Sequence, residues 1–215
     1  MPLFSKLVDF LFPKNPKVLH LENLSSAKLL ELLPSCSTLE EKDTLALFDY
    51  SHPLVKEMIW EIKYHGNQTL AERLGEILSD VIESELLEQQ ALEKFPNIVL
   101  IPMPISDKRR LERGWNQAEL LAKSVKSLDK TQKFKYLPRQ LTKIRHTESQ
   151  TKTATRSERV QNLKGSMMVQ NPLSVEEQYV VLVDDVVTTG STFAEAKRAL
   201  RLAGARKVLC VAVAH

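Results

Sequence analysis

The stretch Val180-Val-Leu-Val-Asp-Asp-Val-Val-Thr-Thr-Gly-Ser-Thr192 constrains this chain more than any other. It reads as four apolar β-formers, two adjacent acids, a turn of hydroxyls with one glycine, and then a helical pattern. An uninterrupted Val/Leu run is what a strand buried on both faces looks like, and such strands belong to parallel sheets covered by helices. Asp184 and Asp185 at its carboxyl end have no packing use, because an unpaired buried carboxylate is costly. They are acceptors for vicinal hydroxyls or for a hydrated Mg²⁺, which takes hard oxygen ligands. Thr188, Thr189, Gly190, Ser191 and Thr192 fall where a helix begins. Unpaired backbone N–H groups, the helix dipole and the hydroxyls converge there on an anion such as a phosphate. A sugar with a phosphate on one side and a diol on the other fits this arrangement, and the Gly-Lys-Ser/Thr ending of a P-loop is absent.

The surrounding chain repeats the alternation. Strands are expected over Asn97–Met103, Tyr179–Val183 and Lys207–Ala214. Helices are expected over Asn116–Leu128 and Thr192–Ala203, opened by the capping boxes Asn116-x-x-Glu119 and Thr192-x-x-Glu195, with Gly204 past the end of the second. The fold class that follows is α/β, a mostly parallel twisted sheet flanked by helices. In such sheets ligands bind beyond the carboxyl ends of strands, which directs attention to the segments after Val183 and after Met103. The latter carries Lys108, Arg109, Arg110 and Arg113, read as a basic loop leading into a helix N-terminus and suited to a pyrophosphate. Arg139–Ser166 is polar, basic and Thr/Ser-rich, and reads as a long mobile loop followed by a short helix, a candidate lid over about 142–158.

Upstream, a leucine-rich helix is expected between residues 21 and 33, with Asn23 or Ser25 as its cap, and a short strand over Thr44–Tyr50. Two amphipathic helices follow, separated by His65-Gly66-Asn67. The second carries the acidic run Asp80, Glu83, Glu85, Glu88 and Glu93, read as a solvated face. A helical N-terminal segment, 1–43, thus precedes a main domain, 44–215.

Charge and cysteine usage narrow the setting. Residues 1–100 carry net −7 and residues 101–215 net +10, within a total of +3. A basic C-terminal half points to an anion, phosphate or nucleic acid. No apolar run approaches the ~18–20 residues of a membrane span, so no membrane insertion is expected. Met1–Pro13 reads as an amphipathic helix rather than a secretory signal. Cys36 and Cys210 make neither a four-ligand zinc cluster nor a disulfide framework, which points to the cytoplasm. His52, His65, His146 and His215 show no metal-triad spacing. Lys63-Tyr64 reads as fixing a helix end. Trp60 and Trp115 read as packing residues, because aromatics are 6% of the chain and do not interleave with basic groups along the sequence.

The Val180–Thr192 stretch resembles, along its whole length, the phosphoribosyl pyrophosphate (PRPP) loop of type I phosphoribosyltransferases. Pro102-x-Pro104, Lys108-Arg109, Arg113-Gly-Trp-Asn-Gln117 and Glu119 resemble the signature of the ComF family, phosphoribosyltransferase-like proteins linked to natural competence and the use of external DNA. Phe48-Asp-Tyr50, Lys63-Tyr-x-Gly66, Leu74-Gly75, Arg145-x-Thr147, Gln150, Arg159-x-x-Asn162 and Gly165 agree as well, so the resemblance covers roughly 45–215. It implies a type I phosphoribosyltransferase fold with an N-terminal hood, and transfer of a 5-phosphoribosyl group from PRPP to an unidentified acceptor. The 5-phosphate would sit on Thr188–Thr192, the ribose hydroxyls and Mg²⁺ on Asp184 and Asp185, directly or through water, and the pyrophosphate on Lys108, Arg109 and Arg113. Asp185 is also a candidate proton acceptor, and Arg145 and Gln150 are candidates for closing the lid. The alternatives are a non-catalytic PRPP or nucleotide sensor, and an adaptor for single-stranded DNA or DNA-uptake proteins; a homo-oligomer fits any of these. The family's usual four-cysteine zinc module has only Cys36 in its place, so zinc is not carried over. Trp115 and Met167 stand where Phe is usual, both keeping apolar bulk.

Overall fold

A computed structural model describes residues 16–36, 43–90, 98–144 and 163–215. The expected helix over Met1–Pro13, with Asn97, Glu93, Arg145, Gln150, Arg159 and Asn162, lies outside them. The order of elements is α1 (Pro16–Asn23), α2 (Ser26–Leu32), β1 (Thr44–Phe48), α3 (Pro53–His65), α4 (Gln68–Gln90), β2 (Ile98–Pro102), α5 (Asp107–Arg113), α6 (Gln117–Leu128), β3 (Phe134–Tyr136), β4 (Leu141–Lys143), β5 (Met167–Val169), β6 (Tyr179–Val186), α7 (Ser191–Leu202) and β7 (Lys207–Ala214).

Five strands form one parallel sheet in the order β1-β7-β6-β2-β3. The two central strands, β6 and β2, are the most apolar, with Val180–Val183 and Val99–Ile101 fully buried. Along β6 the side chains alternate between two cores, as the two-residue strand period requires. Tyr179, Val181 and Val183 face the larger core, built with α1 to α4 and α6. Val180 and Leu182 face the smaller one, built with α7 and the β4–β5 hairpin. β2 leads away through α5 and α6 to β3, and β6 leads away through α7 to β7 on the other side. The β2–β6 seam is therefore the topological switch point, with both carboxyl ends opening on the same edge.

The helix expected between 21 and 33 is α2, opened by Ser25, one of its two expected caps, and a second short helix, α1, precedes it. The break between the two is chemical: the Ser25 hydroxyl accepts the Lys28 N–H and opens a new helix. Val18, Leu21 and Leu29 join the larger core, and Cys36 N–H donates to Leu47 O (2.9 Å), so residues 16–36 pack with the main sheet. The expected loop over Arg139–Ser166 begins and ends in the antiparallel β4–β5 ladder. Among the described residues no helix is long and apolar enough to cross a membrane.

Candidate functional site

At the end of β6 the chain turns through Val187–Thr189 into Gly190, whose φ of 72° is the left-handed conformation that glycine adopts without a Cβ penalty. α7 then starts at Ser191 with no side-chain cap on its first N–H groups. Those donors remain for a ligand, and the helix dipole favours an anionic one. Asp184, Val186 to Thr192 and Phe193 line a small, open pocket there. Thr189 and Ser191 hydroxyls lie 2.8 Å apart, so one donates to the other and the accepting hydroxyl keeps its own proton to donate elsewhere.

Strand alternation separates the two acids. Asp184, with the parity of Val180 and Leu182, lies on the α7 face and lines the pocket. Its Oδ1 accepts the Asp185 N–H at 2.8 Å. Burial first, then the Asp185 charge, push the Asp184 carboxyl well above the usual carboxylate range, while the Asp185 N–H and Lys63 pull the other way. Asp185 has the parity of Val183 and turns to the helical face. Gln117 Nε2 donates to its Oδ1 at 3.2 Å, and the Lys63 ammonium stands 2.5 Å from Oδ2, off the axis of a hydrogen bond, so that contact is Coulombic. Asp185 is buried and does not line the pocket.

Lys63 reaches Asp185 because its helix end is pinned. Trp115 Nε1–H donates to Ile62 O (2.9 Å), and its ring covers Gly66, where a Cβ would stand 3.0 Å from the indole. The next two residues complete the arrangement. Asn116 caps α6 by accepting the Ala118 N–H and donates to Met103 O, tying the β2 end to the helix, and Gln117 holds Asp185. Of the Trp-Asn-Gln run, Gln117 alone touches the acid, while Trp115 acts on it through α3 and Asn116 joins α6 to the end of β2.

The basic cluster is not a loop. Ser106 caps α5 and Gly114 closes it, so Lys108, Arg109, Arg110 and Arg113 ride on a short helix after β2. Arg110 pairs with Glu119 (3.3 Å), while Arg113 donates to Gln117 Oε1 (3.0 Å) and lies over the Tyr64 ring. The exposed Lys108 and Arg109 side chains have no ion pair among the described residues. Lys143, at the end of β4, joins the site from the hairpin. Burial lowers its pKa, the Asp184 charge raises it and Arg109 lowers it further, which places its ammonium within electrostatic reach of both.

Neither capping box closes through its acid. Glu119 turns to Arg110 and Lys123. Glu195 accepts two bonds from Arg198 (2.7 and 2.9 Å) and the Met167 N–H (3.2 Å), docking the hairpin on α7. Burial alone would raise the Glu195 carboxyl; these donors overcome it and hold the carboxyl below its ordinary value. Three of the basic residues late in the chain are spent internally as well. Lys197 is buried and donates to Thr44 Oγ1, Arg198 holds Glu195, and Lys207 faces Asp43 and Gln89.

Of the residues expected at the site, Asp184 and Thr188–Thr192 line one pocket, Lys108 and Arg109 sit exposed on α5, and Asp185 and Arg113 are held by neighbours. Arg145 and Gln150 fall outside the described residues. Lys63 and Gln117 were missed as site residues. Both stood in the family-like motifs Lys63-Tyr-x-Gly66 and Arg113-Gly-Trp-Asn-Gln117 without a role of their own, and their local signal was position: a lysine one turn before a helix-ending glycine, and an amide directly after a helix cap. Trp60 is a correction, because its ring is 47% exposed rather than packed.

Residues 118–215 match the family model for the phosphoribosyl transferase domain. The chain is 31% identical over 160 residues to the DNA utilization protein YhgH of Escherichia coli O6:H1, covering 74% of this chain and 66% of that protein. It is 30% identical to competence protein F of Haemophilus influenzae (72% and 63% covered) and 27% identical to competence protein ComFC of Streptococcus pneumoniae (76% and 64%). The chain therefore spans just under two thirds of the length of these relatives.

Proposed function

This chain belongs to the ComF family of phosphoribosyltransferase-like proteins, and from that premise we propose that its strand-end site binds PRPP with Mg²⁺ and transfers the 5-phosphoribosyl group to a nucleophile. The observation that carries this reading is the pocket itself: a left-handed Gly190 and an uncapped helix start beside the Asp184 carboxyl, at the switch point of a parallel sheet. In it the N–H groups and hydroxyls of Thr188–Thr192 take the 5-phosphate, and Asp184 takes the ribose hydroxyls. Lys108, Arg109 and Lys143 balance the pyrophosphate, which leaves with the electron pair of the C1–O bond as the acceptor's lone pair bonds to C1. Arg145 and Gln150 are proposed to close over it and keep water from C1.

The residues present fit a magnesium ion only in part. Among the described residues no three His, Cys, Asp or Glu side chains gather into a metal site. Asp184 offers a hard oxygen, while Asp185 is engaged by Lys63 and Gln117. The ion would be held chiefly by phosphate, ribose and water oxygens, as Mg²⁺ commonly is, and would neutralise charge on the departing pyrophosphate. Asp185, whose charge is balanced by Lys63 and which Gln117 also holds, is buried away from the pocket and so is not placed to take the proton that the incoming nucleophile releases.

That same neutralisation favours a second reading, a cytoplasmic protein that binds PRPP without turnover and serves the DNA handling for which its relatives are named. Calorimetric titration of PRPP with Mg²⁺ into the wild type and Asp184→Asn tests both readings. Binding by the wild type, weakened at least tenfold in the variant, is expected. No wild-type binding would sink both. Pyrophosphate release on adding ammonia, glutamine or nucleobases then separates transferase from sensor.

A further inference from the structure

Phosphoribosyl transfer to a nucleophile that carries a proton needs a group to receive it, and the carboxylates around the site do not supply one. Asp184 is assigned to the ribose hydroxyls, and Asp185 is buried against Lys63 and Gln117. At the end of β1, Asp49 Oδ1 accepts the Ser51 N–H at 2.7 Å, and that bond holds its carboxyl below the ordinary value, which makes it a weaker base. The order of the strands fixes the side from which an acceptor can come. The ribose and its 5-phosphate are assigned to the end of β6, and Lys108 and Arg109, the cations for the pyrophosphate, follow β2. A displacement that makes its new bond opposite the one it breaks brings the nucleophile to C1 from the side away from β2. In the order β1-β7-β6-β2-β3 the strand on that side of β6 is β7.

β7 runs to Ala214, and His215 follows it. Its backbone is held by β1 on one side, where the His215 N–H donates to Phe48 O (3.1 Å) and the Tyr50 N–H to His215 O (2.8 Å). On the other side the Val187 N–H donates to Ala214 O (2.9 Å), and the His215 ring meets Val187 O through Nδ1 at 3.0 Å. A carbonyl oxygen only accepts, so in the neutral ring Nδ1 carries the proton and Nε2 the lone pair. Val187 lines the strand-end pocket, so the imidazole is fixed to the backbone of the pocket wall while the residue itself stays exposed. Among the described residues Nε2 has no hydrogen-bond partner.

We propose that His215 Nε2 is the acceptor for the proton that the incoming nucleophile releases, an inference that rests on the reading of the pocket as a phosphoribosyl-transfer site. As the nucleophile's lone pair bonds to C1, the C1–O pair leaves with pyrophosphate, and the Nε2 lone pair takes the proton from the attacking atom. The imidazolium so formed keeps its Nδ1–H on Val187 O, which stabilises the new charge, and its exposure lets it pass the proton to water. An acceptor served in this way carries a proton on its attacking atom, as ammonia, an amide and a nucleobase ring N–H do.

Substitution separates the two ring nitrogens. His215→Asn keeps an amide N–H near the position of Nδ1 and has nothing at Nε2, whereas His215→Ala has neither. The test measures PRPP affinity by calorimetry with Mg²⁺, and pyrophosphate release on adding ammonia, glutamine or nucleobases, in the wild type and both variants, with melting temperature as the check on folding. His215→Asn is expected to bind PRPP within about twofold of the wild type and to release pyrophosphate about a hundredfold more slowly at saturation. Free imidazole added to His215→Ala is expected to raise its rate about tenfold, which a residue that only shapes the turn would not allow. Release by His215→Asn at the wild-type rate, a fall in rate no larger than its fall in PRPP affinity, or no imidazole rescue of His215→Ala overturns the proposal and leaves the transferase reading standing. No release by the wild type with any of these nucleophiles removes the transferase reading and this proposal with it.

Discussion

The two faces of the sheet at the end of β6 hold adjacent acids in opposite circumstances. On the α7 face Asp184 borders an open pocket of hydroxyls and uncapped N–H groups. On the helical face Asp185 is closed in by Lys63, by Gln117 and, at one remove, by the Trp115 bond that pins α3. One residue of strand period decides this. The pair that reads in the sequence as two equivalent ligand-binding carboxylates is one ligand-facing acid and one acid that joins α3 and α6 to the sheet. Ligand binding and architecture are thereby divided between neighbouring residues, and each can be broken without the other.

The largest effect is expected on the ligand face. Thr192→Asp puts a negative charge in the first turn of α7, where the dipole welcomes it, so the variant should fold with unchanged or slightly raised stability. The same charge faces any bound phosphate, and like-charge juxtaposition costs several kcal/mol. PRPP affinity measured by calorimetry should fall by roughly a hundredfold or more. A variant that keeps wild-type affinity would show that the phosphate does not sit at the α7 N-terminus.

On the helical face the expected loss is stability. Asp185→Asn leaves the Lys63 ammonium, 21% exposed at the side chain, without its nearest counter-charge. The cost should be about 2 kcal/mol in chemical denaturation, less than for a fully buried pair. Lys63→Met in the Asp185→Asn background should cost less than the sum of the single changes, with a coupling of about 1 kcal/mol. Strict additivity would mean that the two residues do not act together, and the division between the faces would lose its second half.

How much of this could be read beforehand depends on the range over which each signal acts. The β6 strand, its turn and α7 were legible because an apolar run, Gly190 and the hydroxyls are local and consecutive. The parity that separates Asp184 from Asp185 was also present in the sequence. Its consequence was not, because Gln117 lies 68 positions from Asp185 and Lys63 farther still. β3, β4 and β5 have three residues each, too few for a period to show. Glu195 was read as reaching back to Thr192, the partner nearest in sequence. In the fold Arg198 and the Met167 N–H compete for it and win, because two guanidinium bonds to a buried carboxylate outweigh one neutral cap. Sequence shows charge but not partners, so the burial of Lys197 against Thr44 could not be read from it.

The smallest effect sharpens the comparison most, because it has the opposite sign from the loss at Asp185. Asp184 has its carboxyl pKa raised in the folded chain by burial and by Asp185, above the ordinary value of 3.8. Between 3.8 and the raised value the folded protein keeps a proton that the unfolded chain has released, so stability falls as pH rises through that window. Asp184→Asn removes the ionisation, and its amide oxygen can still accept the Asp185 N–H. The melting temperatures of wild type and variant should therefore coincide near or below the ordinary carboxylate value and separate as pH rises, the variant ending higher at pH 7 by about 2–4 °C for each kcal/mol relieved. Glu195 and Asp129 have lowered values and lose their contribution as the medium is acidified, but they do so in both proteins and cancel in the difference. A variant that gains stability toward neutral pH while losing PRPP would mark Asp184 as a charge kept for a ligand at the expense of the fold. Equal melting at every pH would place it, like Asp185, among the acids the structure has already neutralised.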